Sequence, residues 1–170
     1  MNKKIENILN IQVDKEAFSS RLYLAMAVWA EINGLSGISE FLYTHSEEER
    51  MHMLKLVKFI NERGGVAKIS AIEKPKSEFN SVEELFSDLL NHEIMITNSI
   101  NEIVHLCLKE KDFTTHNFMQ WFVSEQMEEE ALARTIMDKI KMIGEDKGGL
   151  YLFDRDINKI QSQNVSTQVN

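Results

Sequence analysis

The chain has 170 residues, 43% hydrophobic and 27% charged, enough for one globular domain with a buried core. Its formal net charge of −8 argues against a nucleic-acid partner, and its single cysteine, Cys107, excludes a disulfide framework or a paired-cysteine zinc site. No apolar run is long enough to span a membrane and no signal peptide is visible, so we expect no membrane association and a cytoplasmic location.

Four long segments have apolar residues at helical spacing. The first runs from about Ile5 to Ile32, and the second from near Ser36 to the glycines at 64 and 65. The third follows Ser81, which opens a capping-box pattern, and continues to about Lys109. The fourth is predicted at about 114–143, ending before Gly144.

The connections between these helices predict how they are arranged. The first and third connections are short, so each joins two antiparallel neighbours. The middle connection, 66–80, is long enough to run the length of a bundle. A short fifth helix is expected at about 150–160, before a polar tail at 161–170 that we expect to be frayed. The predicted fold is an all-α, up-down four-helix bundle with one long crossover and a C-terminal fifth helix, forming one domain over 1–160.

The predicted inward face of each long helix is largely apolar but is interrupted near its middle. Glu16, Glu49 and Glu93 interrupt the first three helices, and Gln126 with Glu129 interrupts the fourth. Glu16 and Glu49 are separated by the same number of residues as Glu93 and Gln126, which predicts similar heights in the two hairpins. Buried carboxylates repel one another and lose hydration, so their convergence predicts cations between them.

His52 lies one helical turn after Glu49, on the same face. A Glu/His pair at this spacing is, taken alone, more often a surface hydrogen bond. Taken with the other seam carboxylates, it predicts an oxygen-rich site with one imidazole, which suits iron or manganese.

Other residues near these positions have two interpretations. Tyr23, two turns after Glu16, is either a core tyrosine or a group beside the metals. Trp121 is most simply a packing residue. The acidic residues of the fourth helix are either a solvated face or, with Glu48, an additional cation site.

Several stretches resemble bacterial non-haem ferritins. They are residues 43–53, 91–93, 117–130 and 149–151, and the most specific is the Trp-x-x-x-Glu-Gln-x-Glu-Glu-Glu run that begins at Trp121. The resemblance covers about residues 5–160. It implies iron storage in a homo-oligomeric shell of twenty-four subunits, with Fe(II) oxidised by O2 or H2O2 and deposited as a ferric oxide-hydroxide mineral.

The resemblance also implies roles for individual residues. Glu16, Glu49 and His52 would bind the first iron, and Glu49, Glu93 and Glu129 the second, so that Glu49 bridges them. Gln126 and Tyr23 would lie close to this ferroxidase centre. A third iron site would be formed by four glutamates: Glu48, Glu125, Glu128 and Glu129.

The sequence departs from related families at informative positions. Bacterioferritins have a second Glu-x-x-His motif and a haem-ligating methionine, where this chain has Gln126–Glu129 and Arg50, so no haem is expected. Rubrerythrins add a cysteine-rich module that one cysteine cannot form. The remaining alternatives are a di-iron oxidase or peroxidase that stores nothing, and a helical bundle with a purely structural role.

Overall fold

The computed structural model describes the backbone of residues 1–166 and the side chains of residues 1–160. Five helices make up the regular structure of this described part: α1 (Lys3–Ile32), α2 (Ser36–Glu62), α3 (Val82–Lys109), α4 (Phe113–Ile143) and α5 (Lys147–Ser166). The all-α bundle with a C-terminal fifth helix, predicted from the sequence, is confirmed. No helix in the described residues is both long and apolar enough to cross a membrane.

The capping residue predicted for α3 is confirmed, with one difference in detail. The Glu84 amide donates to Ser81 Oγ at 3.0 Å, which satisfies one of the free N–H groups of the first turn. The Glu84 carboxylate accepts from the backbone N–H of Asn80 at 2.7 Å, one residue before the position that a regular capping box uses. The loop before α3 is therefore held by both ends of this motif.

Helix α5 is longer than the sequence pattern indicates. It begins at Lys147 because the Asp146 carboxylate accepts from the N–H groups of Gly148 and Gly149 at 3.0 and 3.1 Å. It continues to Ser166, beyond the expected end near Ile160, since no glycine or proline interrupts the polar run that follows. The rest of the expected frayed tail, 167–170, lies outside the described residues.

The segment between α2 and α3 crosses the bundle along α1. Near its start, Asn10 of α1 donates to Val66 O at 3.1 Å and accepts from Lys68 N at 2.6 Å. Near its end, the buried Phe79 packs edge-on against Trp29, with ring centroids 5.7 Å apart. The long crossover between two antiparallel hairpins, α1–α2 and α3–α4, is therefore as predicted.

The apolar core is divided into two clusters by a polar layer. One cluster lies towards α5 and includes Met26, Leu42 and Phe86, and the other lies around Leu9 and Ile100. On every long helix, buried polar side chains lie between the two clusters in sequence: Glu16, Ser19, His45, Ser46, Glu49, His52, His92, Glu93 and Gln126. Buried Gln12 lies at the edge of this layer, beside Val13 of the second cluster. The bundle thus places a set of titratable groups between two water-excluding regions.

Helix α5 docks on the N-terminus of α2 through a close backbone contact. Asp154 of α5 is buried, and its Oδ1 accepts from the Ile38 N–H at 2.9 Å. A Cβ added to Gly37 would lie 1.7 Å from the Asp154 carbonyl oxygen, so only glycine permits this approach.

We expect Gly37→Ala to displace α5 and lower the free energy of unfolding by about 3 kcal/mol, because the new methyl group meets backbone rather than a flexible side chain. Limited proteolysis between α4 and α5, with chemical unfolding, measures both effects. Gly148→Ala is the matched control, since its Cβ would approach only the flexible Asp146 carboxylate, at 3.4 Å. Equal proteolysis of both variants and the unsubstituted protein would contradict the docking role of Gly37.

Candidate metal centre

Three of the predicted ligands meet in the polar layer. One potential ligand atom from each of Glu16, Glu49 and His52 lies within 4.8 Å of the others. The three residues are 1%, 3% and 6% exposed, and His52 Nδ1 is 3.5 Å from Glu49 Oε2. The spacing of Glu49 and His52 on α2 puts both side chains on the face turned towards α1. The structure thus brings together the residues predicted to bind a first iron.

Glu93 of α3 lies beside this group and is held by two hydrogen bonds. The Tyr23 hydroxyl donates to Glu93 Oε1, and the Gln126 amide donates to Glu93 Oε2 at 3.0 Å. Tyr23 is fully buried, so it is a core tyrosine that also contacts a predicted ligand. These contacts orient the Glu93 carboxylate.

Burial raises the pKa of the four carboxylates that the sequence predicts for the ferroxidase centre. Desolvation is the main cause, and it raises the pKa of Glu49 and Glu93 to about 7. It raises those of Glu16 and Glu129 well above their usual range, with added repulsion from neighbouring carboxylates. Glu49 Oε2 is buried without a hydrogen-bond partner. An ion of positive charge in this layer would replace the protons that these groups otherwise hold.

A second cluster contains a histidine that is not among the residues predicted from the sequence. Potential ligand atoms of His45, Glu48 and Glu129 lie within 4.8 Å of one another. His45 Nδ1 is 3.0 Å from the Phe41 carbonyl oxygen, which can only accept, so Nδ1 carries the proton. His45 Nε2 is therefore unprotonated, lies 3.7 Å from Glu129 Oε2, and is buried without a hydrogen-bond partner. Burial also lowers the pKa of His45, which favours the neutral ring that a metal ligand requires.

The sequence contains one signal for His45. His45 occupies the predicted inward stripe of α2, one turn before Glu49, and a neutral imidazole at that position is a nitrogen ligand facing the same layer. The stripe alone does not separate a ligand from a hydrogen-bonded core histidine. The unpaired nitrogen beside Glu129 provides that distinction.

The other predicted residues of the third site are less closely gathered. Glu125 Oε1 lies 3.8 Å from His52 Nε2, so it is nearer the first cluster. Glu128 raises the pKa of Glu125 through charge repulsion, after the larger effect of desolvation. In the described residues, neither Glu125 nor Glu128 belongs to a cluster of three ligand atoms within 4.8 Å, and neither does Glu93.

Trp121 covers His52 from the outside. Its ring meets those of His52 and Phe122 edge-on, with centroids 5.2 and 4.9 Å away, and Lys55 Nζ lies 4.0 Å from its ring centre. The packing role predicted from the sequence therefore includes shielding of His52 from solvent.

A buried layer of carboxylates and histidine across four helices defines a ferritin-like metal-binding bundle. A family model for the ferritin-like domain matches residues 6–143. The chain belongs to the ferritin family, and this membership implies iron binding and supports a role in iron storage.

Similar proteins are known in bacteria and archaea. The chain is 43% identical over 160 residues to the bacterial non-heme ferritin of Campylobacter jejuni, with 94% of this chain and 96% of that protein covered. It is 42% identical over 163 residues to a probable bacterial non-heme ferritin-like protein of Haemophilus influenzae, with 96% and 99% covered. The open-pore ferritin of Archaeoglobus fulgidus has a similar structure, with a TM-score of 0.91, 41% identity, and 92% and 97% covered.

We expect the metal-free protein to lose stability as the pH rises from 5 to 8. The folded-state pKa of Glu49 and Glu93 is raised from 4.5 to about 7, so the folded state holds protons that the unfolded chain has released. Each group thus lowers the free energy of unfolding by about 3 kcal/mol. This loss develops between the two pKa values and is complete above the higher one.

Chemical unfolding of chelator-treated protein at pH 5 and pH 8 measures this loss. Glu49→Gln has no carboxyl group to titrate at that position, so its stability falls less over the same interval. Glu47→Gln on the exposed face of α2 is the control and retains the full dependence. The same pH dependence in Glu49→Gln and the unsubstituted protein would show that Glu49 does not titrate as described.

Proposed function

We propose that this protein stores iron by oxidising Fe(II) at the four-helix layer and depositing a ferric oxide-hydroxide mineral inside a shell of twenty-four copies. The observation that supports this most strongly is the buried cluster of Glu16, Glu49 and His52, in which a carboxylate oxygen has no partner. The relatives named as bacterial non-heme ferritins, together with the similar A. fulgidus ferritin, support the same function.

The proposed ferroxidase centre binds two Fe(II) ions as substrates. Glu16 and His52 bind the first ion, Glu93 and Glu129 bind the second, and Glu49 bridges them through its two oxygens. Gln126 and Tyr23 hold Glu93 in place through their hydrogen bonds. The carboxylates favour Fe(III) over Fe(II) because they place several negative charges in a region of low dielectric.

The electron balance requires two iron ions for each oxidant molecule. Each Fe(II) gives one electron, and O2 takes two electrons and two protons to form H2O2. If H2O2 is the oxidant, its O–O bond breaks, and two electrons with two protons give two molecules of water. Holding both ions on one bridging carboxylate supplies the electron pair at one place.

Assembly into a shell is supported by an exposed apolar stripe on α1. Leu24, Val28 and Ile32 are 46%, 46% and 76% exposed, and Pro75 of the crossover lies beside them in one shallow groove. Contiguous apolar surface of this kind is typical of protein interfaces. A second copy of the chain would remove it from water.

The first test is native mass and sedimentation before and after aerobic loading with Fe(II). We expect a particle of about twenty-four chains that takes up far more iron than two ions per chain, since storage requires a closed cavity. A dimer that retains about two ions per chain would replace storage with a di-iron oxidase or peroxidase. A protein that binds no iron would leave only a structural bundle.

Stopped-flow oxidation in the same samples tests the centre itself. We expect Glu49→Ala to abolish the fast phase because both ions lose a ligand, while Glu47→Ala, a matched change on the exposed face of α2, retains it. A fast phase of normal rate in Glu49→Ala would exclude this assignment.

We further propose that the third iron site is built around His45, Glu48 and Glu129, with Glu125 and Glu128 at its outer edge. The unpaired His45 Nε2 supports this proposal.

We expect His45→Ala to reduce the number of Fe(II) ions bound per chain from three to two in anaerobic titrations. We expect Glu128→Ala to alter Fe(III) turnover more than initial Fe(II) binding. His116→Ala, at a half-buried histidine of α4 that belongs to neither ligand cluster, is the control. Unchanged stoichiometry and turnover in both site variants would show that this cluster is not an iron site.

A further inference from the structure

Glu16 is connected to the outer side of the bundle by a chain of hydrogen bonds. The Gln12 amide nitrogen donates to Glu16 Oε1 at 2.7 Å, one helical turn away on α1. The Ser99 hydroxyl of α3 donates to Gln12 Oε1 at 2.6 Å. The Lys15 ammonium donates to Ser99 Oγ at 2.7 Å. Three hydrogen bonds thus link a predicted metal ligand to a cationic group between α1 and α3.

The chemistry of Lys15 and Glu16 at the two ends determines which group donates in each of these hydrogen bonds. An ammonium group has only protons to donate, so Ser99 Oγ must accept from Lys15 and send its own proton towards Gln12. Gln12 therefore presents its carbonyl oxygen to Ser99 and its NH2 group to Glu16. The reverse amide orientation would place oxygen against oxygen at the carboxylate. Every donor in the chain then points towards Glu16.

Burial strengthens the hydrogen bond between Gln12 and the Glu16 carboxylate. Gln12 is fully buried and Glu16 is 1% exposed, so water does not compete for the bond between them. The hydrogen bond from Gln12 opposes the rise in the pKa of Glu16 that burial and Glu49 cause. Groups that hydrogen-bond to a metal ligand fix its orientation, and their loss typically weakens metal binding.

We propose that Gln12 is a positioning residue for Glu16 and that Ser99 and Lys15 hold its amide in the orientation that Glu16 requires. This inference rests on the proposed ferroxidase centre, since it assigns the effect to the first metal position. Ser99 and Lys15 then influence that position without contacting the metal.

Anaerobic binding of Co(II) tests the inference without turnover, because the visible spectrum of Co(II) reports its ligand geometry. We expect Gln12→Met and Ser99→Ala each to lower the affinity for the first Co(II) ion about 10-fold and to change the absorption spectrum of the bound ion. Ser99→Thr retains a hydroxyl on the same carbon and restores both. Ser87→Ala makes the same change at another half-buried serine of α3 and leaves both unaltered.

The outcomes separate this inference from the proposed function. If Glu49→Gln weakens Co(II) binding while Gln12→Met and Ser99→Ala match the unsubstituted protein, the centre stands and the positioning role is wrong. If the unsubstituted protein binds no Co(II), or Glu49→Gln binds it normally, both assignments fail. Circular dichroism checks folding, and Ser99→Ala decides the question if Gln12→Met does not fold.

Discussion

Mutual repulsion between buried carboxylates is the constraint on which the rest of this structure depends. Glu16, Glu49 and Glu93 lie in one layer, and charging them costs free energy through both lost hydration and like-charge proximity. A fold of ordinary marginal stability tolerates such a layer only if the surrounding contacts are extensive. The two apolar clusters on either side provide those contacts and keep water away from the charges.

The hydrogen bonds around the layer are unevenly distributed, and the pattern follows the proposed roles. Glu93 is held by Tyr23 and Gln126, and Glu16 is held by Gln12. Glu49, the proposed bridge, retains an oxygen without a partner. Groups that would each bind one ion are thus oriented in advance, while the group shared between ions has an open acceptor. Such pre-organisation lowers the reorganisation needed when the substrate ions arrive.

Helical periodicity was sufficient to predict the four long helices, the crossover and most of the inward residues. Glu16, Glu49, Glu93 and Gln126 are all buried as predicted, because a carboxylate or amide in the middle of an apolar stripe has only one direction to face. At helical spacing the inward face of α2 is predicted to end at Phe59, but Phe59 is only half-buried and its neighbour Ile60 occupies the core position instead. One residue of drift over a helix of this length follows from 3.6 residues per turn.

Features that depend on contacts between helices could not be predicted in this way. The unpaired nitrogen of His45 is defined by Phe41 on its own helix and Glu129 on another. The hydrogen bonds from Lys15 to Ser99 and from Ser99 to Gln12 depend on the register between α1 and α3. The start of α5 depends on Asp146, whose capping role was hidden by the two glycines after it. The sequence pattern predicts which face of its helix a residue occupies, whereas these roles depend on distances between helices.

The division of the proposed ligands between two hairpins has a further consequence for how the molecule could be taken apart. Glu16 and Glu49 come from α1 and α2, while Glu93 and Gln126 come from α3 and α4, and only the helix-free crossover joins the two pairs. A chain cut within that crossover would become two complementary fragments whose shared surface is centred on acidic groups. Divalent cations bound at the proposed centre would then hold ligands from both halves, so reassembly of the fragments would depend on metal concentration and would reverse on chelation.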